Sequence, residues 1–155
     1  MRAGPDQGGR KDRGKDGTKG ANKSDSPGAL SSGALARVLL FRVIPKRGGG
    51  WHPVTGGVDP DESFLQGAKR ELQEETGFDP KAGEWVDLEF SHTFEGRFGR
   101  AQEHAFGFIL PEELLPEIDS SEHSAFEWVS VEEALGQLGF DSQRDALKLF
   151  LCYLR

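Results

Sequence analysis

The sequence predicts a compact α/β sandwich. Three observations carry that prediction. Short apolar runs rich in β-branched and aromatic residues occur at 38–43, 85–92, 101–110 and 126–129. Two segments, 63–76 and 142–154, space their apolar residues as helices do. The two kinds of segment mix without strict alternation, which fits a layered α/β domain better than a regular strand–helix repeat. The 155 residues fit one domain with length to spare for a tail.

Residues 1–33 are dominated by Gly, Lys, Asp and Ser and show no periodicity, so they are expected to be a disordered basic tail ahead of a domain at 34–155. From Ala36 the composition changes, and Val38, Leu39, Leu40, Phe41 and Val43 read as a buried strand. Lys46, Arg47 and the glycines 48–50 make a turn. Residues 51–54 form a short extended piece that ends at Gly56-Gly57, and Asp59, Pro60 and Asp61 make a loop. A helix over 63–76 is stopped by Gly77, with Pro80 just beyond. Strands at 85–92 and 101–110 flank a hairpin loop at 95–100. A further strand at 126–129 runs into Ser130-Val131-Glu132-Glu133, a capping box that opens a short helix. The last helix, 142–154, aligns Ala146, Leu147, Phe150, Leu151 and Leu154.

Charge excludes some functions. Residues 1–27 hold seven Lys or Arg and four Asp or Glu, a balance of +3, so the remainder carries −10 of the whole-chain −7. An acidic domain is a poor partner for nucleic acid, which needs a basic face. A phosphate substrate stays possible if divalent cations sit between the two sets of negative charge. The single cysteine, Cys152, cannot make an intrachain disulfide, and no secretory signal or membrane-length apolar run is visible. The reading is a cytoplasmic protein that engages neither nucleic acid nor membrane, as a monomer or a homodimer.

The informative element is the acidic helix. On a wheel of about 100° per residue with Glu71 at zero, Leu65, Ala68, Leu72 and Thr76 form a core stripe between about 60° and 140°. Glu74, Glu71 and Glu75 share an arc of about 100° beside it, and Glu75 falls on the apolar side. A carboxylate there is costly unless something pairs with it. Like charges at i,i+3 and i,i+4 also repel by a few tenths of a kcal/mol each. Arg70, at i,i+4 from Glu74, does not supply enough positive charge for all three. A bound divalent cation would resolve both costs, and oxygen ligands of this kind suit Mg²⁺ or Mn²⁺.

The stretch 56–78 reads GGVDPDESFLQGAKRELQEETGF. It resembles the Nudix box of the Nudix hydrolases, G-x5-E-x7-R-E-U-x-E-E-x-G-U with U apolar, and Gly56, Glu62, Arg70, Glu71, Leu72, Glu74, Glu75, Gly77 and Phe78 match every fixed position. A chance match is of order one in 10⁸ per start position. Weaker similarity to dihydroneopterin triphosphate pyrophosphatases covers about 37–151, through WHPVTG at 51–56, SEHSAFEW at 121–128 and the ending at 141–150. The resemblance implies a Nudix-type α/β/α sandwich with a mixed sheet. Nudix domains usually have a strand ahead of the one at 38–43. Here low-complexity sequence fills that place, which leaves open a sheet lacking its first strand or a mistranslated start.

The resemblance also implies roles. Glu71, Glu74 and Glu75 resemble the family's metal-binding and base carboxylates, Arg70 the residue that orients them, and Glu62 a support for the loop. The carbonyl of Thr55 stands where the family often supplies a backbone ligand, and Glu122 where the subgroup brings a glutamate to the metals from a loop. Gly56 and Gly57 let backbone approach phosphate closely. Two or three Mg²⁺, with Mn²⁺ as substitute, would bridge these carboxylates to the phosphates of a small-molecule triphosphate and activate a water. Glu71, Glu74 and Glu122 are candidates for the base, with Glu103 more remote. Trp51, Phe94, Phe98, His104 and Phe106 are candidates to contact the rest of the substrate. The residues after the box lack the proline of the ADP-ribose type and the tyrosine of the dinucleoside polyphosphate type, so a nucleoside or pterin triphosphate is favoured, giving monophosphate and pyrophosphate. A nucleotide sugar, an oxidised nucleotide or a non-catalytic binding module are the alternatives.

Overall fold

A computed structural model describes residues 36–96 and 98–155. The expected tail, with the question of a first strand, lies outside the described residues, as does Arg97 of the hairpin. The elements run β1 (Arg37–Val43), β2 (Trp51–His52), α1 (Phe64–Thr76), β3 (Glu84–Gly96), β4 (Gly99–Ile109), β5 (His123–Ser130), α2 (Val131–Gln137) and α3 (Asp141–Tyr153). A short 3₁₀ turn at Pro45–Arg47 follows β1.

β1 is the centre of a three-stranded antiparallel sheet of order β2-β1-β5, and β3 and β4 form a second antiparallel ladder. A parallel bridge ties Trp51 to Leu138. Leu40 and Phe41 are both 0% exposed. Adjacent residues of a strand point to opposite faces, so β1 is covered on both. Leu40 packs with Val129, Ala134 and Leu138, and Val38, Trp51 and Leu147 close around that cluster, so α2 and α3 lie on this face. Phe41 tilts against His123 at 5.1 Å, and His123 faces Glu75 of α1, which puts α1 on the other. Helix, sheet, helix is the layering the sequence predicts.

Local chemistry sets the ends of α1. Ser63 is its N-cap, accepting from Gln66 N at 3.2 Å while the Gln66 side chain accepts from Ser63 N at 2.8 Å. Such a cap contributes about 1 kcal/mol. Gly77, at φ 73, closes the helix in the left-handed region that glycine adopts without strain. Leu72 and Thr76 of the expected core stripe are buried, whereas Leu65 and Ala68 are only half-buried. Gly67 is buried instead, because the loop before the helix folds over it; a Cβ there would meet Val58 Cγ2 at 3.1 Å and Glu62 Oε2 at 3.4 Å.

The structure corrects several boundaries. The hairpin strands run to Gly96 and from Gly99, a paired couple, so strand pairing extends into the expected loop at 95–100. The outer half of β3, exposed from Ser91 to Glu95, carries no inside–outside alternation to extend the prediction. A bulge between Asp87 and Phe90 puts Glu89 at φ 51, its N–H held by Asp87 Oδ1 at 2.8 Å. β2 ends at His52, before Pro53, which has no N–H for a ladder. β5 begins three residues earlier than expected, at His123. Among the described residues no helix is long and apolar enough to cross a membrane.

Candidate active site

The site is assembled around Arg70. Its Nε and Nη2 donate to the two oxygens of Glu62 at 2.8 and 2.9 Å, and Nη2 also donates to Gly57 O at 2.8 Å. Nη1 donates to Glu71 Oε1 at 2.8 Å and to Glu74 Oε2 at 3.1 Å. A guanidinium has five N–H bonds, and all five are committed here. The fork grips Glu62 with two parallel bonds, an arrangement lysine could not copy. Hydrogen bonding by Arg70, then by the Asp59 N–H, holds the Glu62 carboxyl down at about 2, while Glu62 and then Glu71 push the Arg70 pKa above its ordinary value. Glu62, eight residues before Arg70, thereby pins the loop at 56–62 to the acidic helix.

Gly56 lies directly against Glu71. A Cβ built on it would fall on the Glu71 carboxyl group, so any larger residue forces that side chain to move. A Cβ on Gly57 would meet open space; its role in this geometry is the carbonyl that Arg70 takes.

Glu75 is the unusual member. Its side chain is 10% exposed, and Oε2 is buried without a hydrogen-bond partner. Burial first, then the charges of Glu71 and Glu122, push its pKa up to about 8; a hydrogen bond from the Thr55 backbone acts in the opposite sense. Glu122, in the loop before β5, is paired with Arg47 at 2.9 Å. His123 follows it and is 6% exposed, and burial lowers its pKa, so the imidazole facing Glu75 is favoured as neutral.

Glu62, Arg70, Glu71, Glu74 and Gly57 are thus in direct contact, and Gly56, Thr55, Glu75 and Glu122 are grouped with them through packing, a hydrogen bond and charge. The expected substrate residues are dispersed. Trp51 packs against the core cluster. Phe106 is tilted against His104 at 4.8 Å, and His104 stacks on Phe64 at 5.3 Å and bonds Asp87 at 3.0 Å. Phe94 is 44% exposed on the outer hairpin, stacked on His92. A cavity of about 330 Å³ opens elsewhere, lined by Arg47, Gly48, Gly49, Gly50, His52, Gly139 and Phe140. Arg47 belongs both to this cavity and to the pair with Glu122. Sequence reasoning gave Arg47 only a turn and His123 no role. Both are short-range neighbours of chemistry visible in the sequence, but the partners that define them lie some 75 and 48 positions away along the chain.

The donor set fits a divalent cation. Every candidate ligand is an oxygen, one buried carboxylate oxygen has no partner, and the nearby guanidinium has no donor left for it. Among the described residues no three carboxylate, imidazole or thiolate groups converge as they stand. The reason is visible in the ion pairs: Glu71 and Glu74 turn toward Arg70, and Glu122 toward Arg47.

A family profile for the NUDIX domain matches residues 29–150. The chain belongs to the Nudix family. The profile begins inside the stretch that composition reads as tail. This Nudix chain is similar to a protein from Myxococcus xanthus called octanoyltransferase, with 41% identity over 125 residues, 75% of this chain and 32% of that one. It therefore spans about a third of that relative, and the name describes a protein mostly outside the match. It is also similar to the rat bis(5'-nucleosyl)-tetraphosphatase (asymmetrical), 32% identical over 108 residues that cover 66% of this chain and 72% of the relative. Among solved structures, the E. coli dihydroneopterin triphosphate pyrophosphohydrolase superposes with a TM-score of 0.67 at 27% identity, covering 76% of this chain and 86% of that one. The Nudix-type α/β fold follows from these matches, and they support an enzyme that acts on acid anhydrides of phosphorus.

Proposed function

We propose that this Nudix chain is a divalent-metal-dependent hydrolase that cleaves a diphosphate linkage in a nucleoside or pterin triphosphate, releasing monophosphate and pyrophosphate. The observation that carries the reading is Glu75, a buried carboxylate with an unpartnered oxygen that feels the charges of Glu71, Glu122 and Glu74. Such a group is costly to a protein that never binds a cation there.

Glu71, Glu74, Glu75 and Glu122, with the Thr55 carbonyl, would hold Mg²⁺, or Mn²⁺ in its place. A bound ion of this kind neutralises phosphate charge and lowers the pKa of water. The rest falls to the chain. Arg70 holds Glu71 and Glu74 in fixed orientations, which keeps like charges together at no further conformational cost. Glu71, Glu74 or Glu122 takes the proton of the attacking water, each standing beside a guanidinium, Arg70 for the first two and Arg47 for the third. Gly56 leaves room for the Glu71 carboxyl group, which lies where a side chain at position 56 would stand. The cavity beside Arg47 has the size of a small ligand site and offers a cation with an aromatic pair, His52 and Phe140, for the ring half of the substrate.

A dinucleoside polyphosphate is the second reading, favoured by the likeness to the rat tetraphosphatase. The test is product release from dihydroneopterin triphosphate, nucleoside triphosphates, a dinucleoside tetraphosphate and a nucleotide sugar, with Mg²⁺, Mn²⁺ or EDTA. Pyrophosphate from a triphosphate, abolished by EDTA, is the expected result. Release from the dinucleotide alone would move the assignment to the second reading. A folded protein that turns over none of them would refute both.

A further inference from the structure

Glu75 and His123 meet across the seam between α1 and β5, and each buries a polar atom without a partner: Oε2 of Glu75 and Nδ1 of His123. His123 Nε2 lies 4.0 Å from Glu75 Oε2, a little beyond a hydrogen bond. Glu75 takes a hydrogen bond from the Thr55 backbone, but its Oε2 has no partner. Arg70 has committed its donors to Glu62, Glu71, Glu74 and Gly57. The imidazole lies against Phe41, and its backbone N–H is tied to Asp119 O at 2.9 Å, so the ring is held in place. Glu122, Arg47, Asp119 and His52 act on it only as charges at a distance.

The two neutral tautomers differ sharply here. With the proton on Nδ1, the protein would bury an unpaired donor and, in the ionised state of Glu75 that a cation requires, set the Nε2 lone pair against a carboxylate oxygen. With it on Nε2, only a lone pair is left unpaired, and the proton is aimed at Glu75. We infer that His123 is a positioning residue for Glu75: its Nε2–H holds the Oε2 edge of the carboxylate and fixes the direction in which the rest of the group is presented to a divalent ion. This rests on the reading of Glu75 as a metal-site carboxylate. Supports of this sort act on affinity as well as rate, because an unaligned ligand must be ordered when the ion binds.

Mn²⁺ titration of the full chain, followed by electron paramagnetic resonance, tests the two ideas separately. His123→Phe keeps a ring against Phe41 but removes the N–H; His123→Gln keeps an N–H near the same place but removes the ring. Mn²⁺ affinity is expected to fall about 10- to 100-fold in His123→Phe and to return toward the wild-type value in His123→Gln. A role in packing alone predicts the reverse order. Wild-type affinity in His123→Phe, in a protein whose affinity Glu75→Gln destroys, would overturn the inference and leave the site reading intact. Affinity untouched by Glu75→Gln would overturn both. Nitrogen-15 NMR of the wild-type imidazole above pH 8, where Glu75 is ionised, removes any dependence on how the variants fold: an Nε2–H signal is expected, and an Nδ1–H tautomer would overturn the inference.

Discussion

Adding Mg²⁺ to the metal-free protein should release a proton, and the amount follows from Glu75. With its pKa pushed up to about 8, the folded chain holds that carboxyl mostly protonated at pH 7. A cation needs the carboxylate, so binding expels the proton. The titration curve gives release of about 0.9 proton per site at pH 7 and about 0.1 at pH 9. Isothermal titration calorimetry in two buffers of different ionisation enthalpy reads the number directly, and Glu75→Gln should abolish it. Binding at pH 7 with no proton release, or with equal release at both pH values, would refute the reasoning. The same shift has a stability consequence with a definite sign. The folded pKa lies above the ordinary 4.5, so the stabilisation from this proton is complete below 4.5 and is lost as pH rises through about 8. Metal-free protein should therefore lose melting temperature through Glu75 across that window, and Mg²⁺ should restore most at its upper end.

Glu74→Gln or Glu75→Gln should lower kcat by several orders of magnitude with the fold retained by circular dichroism, and wild-type turnover in the folded double variant would sink the assignment. Gly56→Ala should cut kcat by at least about 10-fold, since the new methyl displaces the Glu71 carboxyl, whose misplacement by about an ångström carries a penalty of that size or more; a steady-state assay with unchanged kcat would show that Glu71 is not needed where it stands. Arg70→Lys should lose the two-pronged hold on Glu62 and lower both activity and melting temperature. Equal stability of Arg70→Lys and wild type by denaturant melts would contradict the five-bond description.

Much of this was legible in the sequence because the signals are local. The capping box at Ser130 and Glu133 forms as read, with Ser130 Oγ accepting from Glu133 N at 3.2 Å. Gly77 ends α1 where a left-handed residue was called for. The cluster of Glu71, Glu74 and Arg70 sits on one helix face because 3.6-residue periodicity alone puts it there. Other features depend on distant parts of the chain. Trp51 looks like an exposed ring beside a glycine-rich loop, yet a bridge to Leu138 draws it into the core, a contact no local pattern announces. The outer hairpin is held by backbone pairing that leaves both faces wet, so hydrophobic alternation could not mark its length. Arg47 and His123 acquire meaning only when β1, β5 and α1 come together.

The back-to-back burial of Leu40 and Phe41 makes β1 a party wall between two rooms of different purpose. Leu40 furnishes the side that only has to be well packed. Phe41 furnishes the side that carries His123 and, behind it, Glu75. Trimming Leu40 should register in melting experiments while the remaining folded fraction works normally. Trimming Phe41 should register in both ledgers, because the ring that steadies the imidazole is also part of the wall.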